Sequence, residues 1–222
     1  MNLSLERIVD PEIEPLTLAE MRRHLRCYED TTSEDDDIEA LIVAAREWVE
    51  NYTGRALIDQ TWRLMLGDFI ASDTLMRRSP ITALTEQIWR LTLANYGSGG
   101  LSLRRSPVIA VTKFAAIDVA GVETDIATTQ FELREPGSKW PRIVPLSGAA
   151  WSARTLKVEF RAGFADRLGS PKQDAAKVPT RFKQAMKLWA EANYDRDPVM
   201  MPLLLKVAED IVRPERVDMQ MA

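Results

Sequence analysis

The chain has 222 residues, 29 basic against 33 acidic side chains, one cysteine and one histidine. With 45% apolar and 28% charged residues it has the make-up of an ordinary soluble globular protein, long enough for one elaborated domain or two small ones. Cys27 cannot form an internal disulfide, and with only His24 beside it no Cys/His cluster can hold a structural zinc or an iron-sulfur centre.

A triad would have to take His24 as its base, and His24 sits in a basic helical stretch, Met21 to Arg26, with no nucleophile fixed beside it. Residues 1–10 lack the apolar core of a signal peptide, and no stretch approaches the about 18 apolar residues of a membrane span. Residues 1–60 carry 15 acids and 6 bases, whereas 61–222 carry 18 acids and 23 bases. The two stretches therefore stand near −9 and +5, an asymmetry suited to self-assembly.

Along the chain, Thr17-Leu18-Ala19-Glu20 reads as a capping box, with Leu18, Met21 and Leu25 completing a helix of about ten residues. A second helix is expected from Ser33, with Glu34, Asp35, Asp36 and Asp37 in its first turn, where the helix dipole favours acids. Ile38, Leu41, Ile42, Ala45, Trp48, Val49 and Tyr52 give it one apolar face, and Gly54 is its C-terminal cap.

Strand patterns follow at Thr61–Leu66, Val108–Ile117, Phe131–Arg134, Arg142–Leu146 and Leu156–Arg161, parted by Gly, Pro and Asp without intervening helices. That spacing predicts an antiparallel sheet. Helical periodicity returns after Val178-Pro179 through Phe182, Ala185, Met186, Trp189 and Ala192, until Asp197-Pro198 breaks it. A last helix is expected over Leu203–Val212, before an unperiodic tail over 214–222 that is expected to be mobile unless a partner orders it. The fold class is α+β, read as one domain: helices over 15–55, a β-rich region over 56–165, and helices over 178–213.

At an offset of 27 residues the chain repeats itself. Trp62-Arg63-Leu64 and Leu66 recur as Trp89-Arg90-Leu91 and Leu93, and Arg77-Arg78-Ser79-Pro80-Ile81 as Arg104-Arg105-Ser106-Pro107-Val108. Ala83 and Thr85 recur as Ala110 and Thr112. Each copy, 61–85 and 88–112, outlines a hairpin whose proline marks a strand end. If the second copy is an addition, a chain lacking Glu86–Arg105 should still fold.

The paired arginines Arg77, Arg78, Arg104 and Arg105 have two readings, a contact for phosphate or acidic protein groups and a solvated strand edge duplicated with its hairpin. A DNA-binding module built on them is the alternative function. The acids Glu34–Asp37 could meet a divalent cation or a neighbouring subunit, but they lack the spacing of a calcium loop. Gly97-Ser98-Gly99-Gly100 is not followed by Lys-Ser/Thr and reads as a hairpin tip rather than a phosphate loop. No motif in the chain calls for a cofactor or a metal.

The order of several strings resembles the head-tail connector, or head-completion adaptor, proteins of tailed bacteriophages, prophages and gene transfer agents. They are Glu14-Pro15-Leu16-Thr17-Leu18-Ala19-Glu20, Ile42-Val43-Ala44-Ala45-Arg46, Tyr52-Thr53-Gly54-Arg55-Ala56-Leu57 and Gln60-Thr61-Trp62-Arg63-Leu64, followed by Arg142-Ile143-Val144-Pro145, Phe160-Arg161-Ala162-Gly163-Phe164 and Val178-Pro179. That family has one Trp-Arg-Leu hairpin, so the second copy is a departure.

The resemblance implies a mainly helical bundle with an inserted antiparallel sheet or small barrel-like element, and no catalytic residues. It implies a homo-oligomeric ring, commonly of twelve subunits, under the portal protein at the neck of the virion, after assembly in the host cytoplasm. Its other side would meet a tail-completion or stopper protein, and genomic DNA would pass through its channel without sequence-specific binding or any membrane. Leu203, Leu204, Val207 and Ile211, with Arg213 and Arg216, then outline an amphipathic segment for portal or subunit contact.

Overall fold

The computed structural model describes residues 2–27, 34–67, 100–118, 120–146, 155–164, 175–195 and 197–217. Their packing forms two compact units. One gathers the described parts of 1–10 and 60–162, the other those of 11–59 and 163–218.

The first unit is built from strands. Its larger sheet contains β1 (Asn2–Val9), β2 (Gln60–Gly67), β4 (Val108–Ile117), β5 (Glu123–Asp125) and β8 (Thr155–Ala162), in the order β1-β2-β8-β4-β5. A smaller sheet orders β3 (Leu101–Ser102), β7 (Arg142–Pro145) and β6 (Phe131–Arg134) as β3-β7-β6. Every described pairing is antiparallel, as short strands without crossover helices require. Among the described strands the larger sheet is open, with β1 and β5 at its ends.

Period-two alternation fixes the register of the central strands. Gln60, Trp62, Leu64 and Leu66 of β2 are buried, as are Leu156, Val158, Phe160 and Ala162 of β8, and the register pairs Trp62 with Phe160, Leu64 with Val158 and Leu66 with Leu156. On the opposite face Arg63 meets Glu159 at 3.0 Å. Burying each large apolar side chain contributes about 1.5–3 kcal/mol, against roughly 0.2–1 kcal/mol for a partly exposed ion pair. The inward face therefore decides the register, since a one-residue slip would turn all of it outward. Phe114 of β4 meets Phe131 of β6 edge to face, with ring centroids 5.2 Å apart, which joins the two sheets.

The second unit is helical: α1 (Leu18–Leu25), α2 (Asp35–Thr53), α3 (Thr180–Asp195) and α4 (Met200–Val212). The capping box forms as expected, with Thr17 Oγ1 accepting from the Glu20 N–H at 3.2 Å and Glu20 Oε2 accepting from the Thr17 N–H at 3.0 Å. Helix α2 begins at Asp35, and Glu34 at its N-cap makes no side-chain cap bond. Ser33, the expected start, lies outside the described residues. Gly54 caps the far end in the left-handed region, its N–H bonded to the Glu50 carbonyl at 2.9 Å.

Ile38, Ile42, Ala45 and Val49 of α2 pack with Phe182, Ala185, Met186 and Ala190 of α3 and with Ala208 and Val212 of α4. Buried among them, Arg46 binds Glu14 at 2.8 Å and Glu50 at 3.1 Å, while the other Glu50 oxygen accepts from the Leu57 N–H at 2.8 Å. Each charge thus has a partner that offsets its desolvation. Gly163 permits a close approach of two chain segments, because a Cβ there would lie 2.4 Å from the Ile58 carbonyl carbon at a φ of +150°.

The observed class is α+β, with helices and strands collected in separate units. Those units also sort the charge. By sequence, residues 1–10, 60–162 and 219–222 carry 14 basic and 11 acidic residues and residues 11–59 and 163–218 carry 15 basic and 22 acidic, or net +3 and −7.

Candidate functional site

Helix α4 starts earlier than its sequence suggests. Asp197 accepts the Val199 N–H on Oδ1 at 2.8 Å, and the Asp197 carbonyl accepts from Met201 at 2.9 Å. Pro202 then falls in the first turn, where a helix lacks partners for its N–H groups and a missing donor costs nothing. The early start extends the outward face by a turn. The adjacent Val199 and Met200 are followed at helical spacing by Leu203 and Val207, and the four are 70%, 46%, 55% and 49% exposed. Ala208 and Val212 occupy the opposite, buried face.

The six candidate contacts therefore divide. Leu203 and Val207 lie on the exposed apolar row, and Leu204 lines an adjoining hollow with Glu191, Asp195, Asp197 and Met200. Ile211 turns toward the helical core. Arg213 is exposed beside Asp210 at 3.6 Å, and the Arg216 guanidinium lies 5.6 Å from the Tyr52 ring centroid. Val199 and Met200 were missed because Asp197-Pro198 read as a break and the last helix was expected to start only at Leu203. The signal that could have found them is the apolar spacing continued one turn upstream of Leu203.

Beyond α4, the segment through Val217 is fastened to the unit. Glu215 bridges Arg55 and Arg181, and the Val217 N–H bonds the Thr53 carbonyl at 2.8 Å. The Arg55 guanidinium carbon lies 5.0 Å from the Phe164 ring centroid and 6.0 Å from that of Phe182. Burial pushes the Arg55 pKa down, and the Glu215 carboxylate opposes that shift. Residues 218–222 of the expected tail lie outside the described residues.

Of the paired arginines, Arg105 is 8% exposed and sets its guanidinium carbon 4.4 Å from the Trp62 ring centroid. Arg104 beside it is half-buried. Arg77, Arg78 and most of the repeat lie outside the described residues, as do Gly97, Ser98 and Gly99. Pro107 immediately precedes β4, as its missing donor requires.

The acidic run is dispersed by its partners. Asp35 pairs with Arg22, Glu34 accepts from the Tyr194 hydroxyl at 2.8 Å, and Asp36 and Asp37 face solvent. Hydrogen bonds to Cys27 and Glu34 raise the Tyr194 pKa. His24 Nε2 lies 2.9 Å from Glu191. Among the described residues no group of His, Cys, Asp and Glu is arranged to hold a metal ion, and no helix is long and apolar enough to cross a membrane.

A family model described as phage gp6-like head-tail connector protein matches residues 15–130. The fold is similar to a chain in the virion of a native gene transfer agent particle, at 24% identity and a TM-score of 0.62, covering 86% of this chain and 84% of that one. It is also similar to a chain in the neck of an empty gene transfer agent particle computed with C6 symmetry, at 26% identity and a TM-score of 0.61, with the same coverages. A third similar chain belongs to the neck of the native particle computed with C12 symmetry, at 23% identity and a TM-score of 0.59, covering 92% of this chain and 94% of that one. No curated protein matches the chain.

Proposed function

The chain belongs to the phage gp6-like head-tail connector family, and on that premise we propose that it is a structural adaptor that forms a ring at the neck of a phage-like particle. The ring, of twelve subunits, sits under the portal protein, continues the DNA channel, and offers its other side to a tail-completion or stopper protein. It acts by contact, without catalysis, first in the host cytoplasm and then in the virion.

The observation that carries this reading is the exposed apolar row Val199, Met200, Leu203 and Val207 at the start and along one face of a helix whose buried residues are Ala208 and Val212. Such a row is costly in water and is relieved by a partner surface. Two further features support a ring. Its interface joins one face of a subunit to a different face of the next, and the +3 and −7 units provide surfaces of opposite sign. Similar chains come from necks computed with six-fold and twelve-fold symmetry. The DNA-binding alternative gains nothing from Arg105, whose guanidinium is spent on Trp62.

The test is electron microscopy of the protein mixed with a purified portal ring. A coaxial second ring is expected. A protein that stays monomeric and leaves the portal bare refutes the proposal.

A further inference from the structure

Three carboxylates stand at the upstream end of the apolar row on α4. Glu191, Asp195 and Asp197 border a hollow of about 320 Å³ with Met200, Met201 and Leu204, where α3 ends and α4 begins. Two of the three have partners within the helical unit. Asp197 Oδ1 accepts the Val199 and Met200 N–H groups at 2.8 and 3.4 Å, and Glu191 faces His24 at 2.9 Å. Asp195 is exposed as the last residue of α3. That end of a helix already carries partial negative charge, and the last turn of α3 supplies no base to offset it. Residues 191–205 hold one base, Arg196, against the three acids. Downstream the balance is even, since Lys206 and Arg213 match Glu209 and Asp210.

The rest of the hollow and the row beside it are apolar. Met200 and Met201 belong to the one aliphatic type that re-packs readily around whatever it meets. From Val199 to Val207 the row runs about 12 Å along α4, the length that two turns of a helix laid beside it would cover. A lysine or arginine suits the hollow in both its parts, because its methylenes lie against methionine and leucine while its charged head reaches the carboxylates. An acidic or wholly apolar occupant would leave those carboxylates without a counterpart.

We propose that the exposed face of α4 and the adjoining hollow form one groove for an amphipathic helix of a partner protein, with a lysine or arginine at one end of its apolar stripe. The stripe lies on Val199, Met200, Leu203 and Val207, and the cation enters the hollow beside Glu191, Asp195 and Asp197. This rests on the reading of α4 as an assembly surface and adds the chemistry of what it receives. The single charged end also fixes the direction in which the partner lies, which the apolar row alone leaves free.

Fluorescence anisotropy of the full chain with two labelled peptides tests the proposal: an amphipathic helix of leucine and lysine, and its twin with glutamate in place of lysine. The lysine peptide is expected to bind about tenfold more tightly than its twin or better. Leu203→Ser should weaken its binding about tenfold, the loss of one covered leucine, and Asp195→Asn about threefold, the weight of a partly exposed ion pair. Glu39→Gln removes the same charge from an exposed site on α2 and should leave binding unchanged. Absence of binding overturns the proposal, and so does equal binding of the two peptides. A Leu203→Ser variant that binds like the parent, or a Glu39→Gln variant that loses as much as Asp195→Asn, overturns it as well. The outcome is separable from that of the portal experiment. A coaxial ring on the portal without peptide binding refutes the groove and keeps the adaptor, whereas peptide binding beside a bare portal keeps the groove and refutes the adaptor.

Discussion

Arg105 and Trp62 join the two copies of the duplication: the guanidinium carbon of the second copy's arginine lies 4.4 Å from the ring centroid of the first copy's tryptophan. A desolvated cation over an indole is worth about 2 kcal/mol, more than an exposed one. Arg105→Ala is therefore expected to lower stability by about 2 kcal/mol in a denaturant titration. Arg104→Ala, one residue earlier and half-buried, should change it by no more than about 0.5 kcal/mol. Equal losses at the two positions would contradict the packing role.

The same pair corrects the excision suggested by the sequence. Removing 86–105 would take Arg105 and all of β3 with it, including the buried Leu101 and Leu103. An in-phase excision of 68–94 instead joins Gly67 to Asn95 and keeps one full repeat, with Trp62 and Arg105 both present. The in-phase deletion should give a monomer that melts within a few degrees of the parent, and the 86–105 deletion an unfolded or insoluble chain. Circular dichroism of both distinguishes an addition to the sheet from a part of its core.

Glu215 holds the end of the helical unit through Arg55 and Arg181. Glu215→Gln removes the charge that offsets a buried guanidinium, and breaking one side of such a pair costs about 3 kcal/mol. Because the Arg55 side chain is 8% exposed, salt should screen the interaction only weakly. The loss should thus persist at high ionic strength, which denaturant midpoints with and without added salt will check.

The capping box of α1 gives a pH-dependent contribution. The Thr17 backbone N–H holds the Glu20 carboxyl below its ordinary value of 4.5. A depressed carboxyl stabilises the fold above its unfolded pKa, and that stability is lost as pH falls through the lower folded value. The stability difference between the parent and Glu20→Gln should therefore shrink as pH falls from about 5 toward 3. Thr17→Ala should cost about 1 kcal/mol at neutral pH.

Local chemistry made much of the fold legible. Strands β4 and β6 and the Gly54 cap fall where Pro, Gly and alternation place them. Strand β1 was missed because Arg7 interrupts the alternation of Leu3, Leu5 and Val9, and an irregularity in pairing between Arg7 and Val9 absorbs the mismatch. The start of α4 was misplaced because a proline stops a helix interior but suits its first turn. The role of Arg105 was not legible at all, since the ring that receives it lies 43 residues away and nothing near an arginine marks it for burial. The candidate contacts were half readable for the same reason: periodicity finds the apolar positions of a helix but not which face its neighbours cover.

That distinction yields the sharpest test of α4. Leu203 and Val207 are exposed, so Leu203→Asp and Val207→Asp should leave stability within about 0.5 kcal/mol of the parent. Ala208 is fully buried one residue beyond Val207, so Ala208→Asp places an unpaired carboxylate in the core and should unfold the unit. If the exposed row serves assembly, the first two variants remain folded monomers in size-exclusion chromatography but fail to add a ring to the portal in electron microscopy. Variants that fold and still assemble would remove α4 from the interface while leaving the family assignment untouched, because the family match over 15–130 ends before α4 begins.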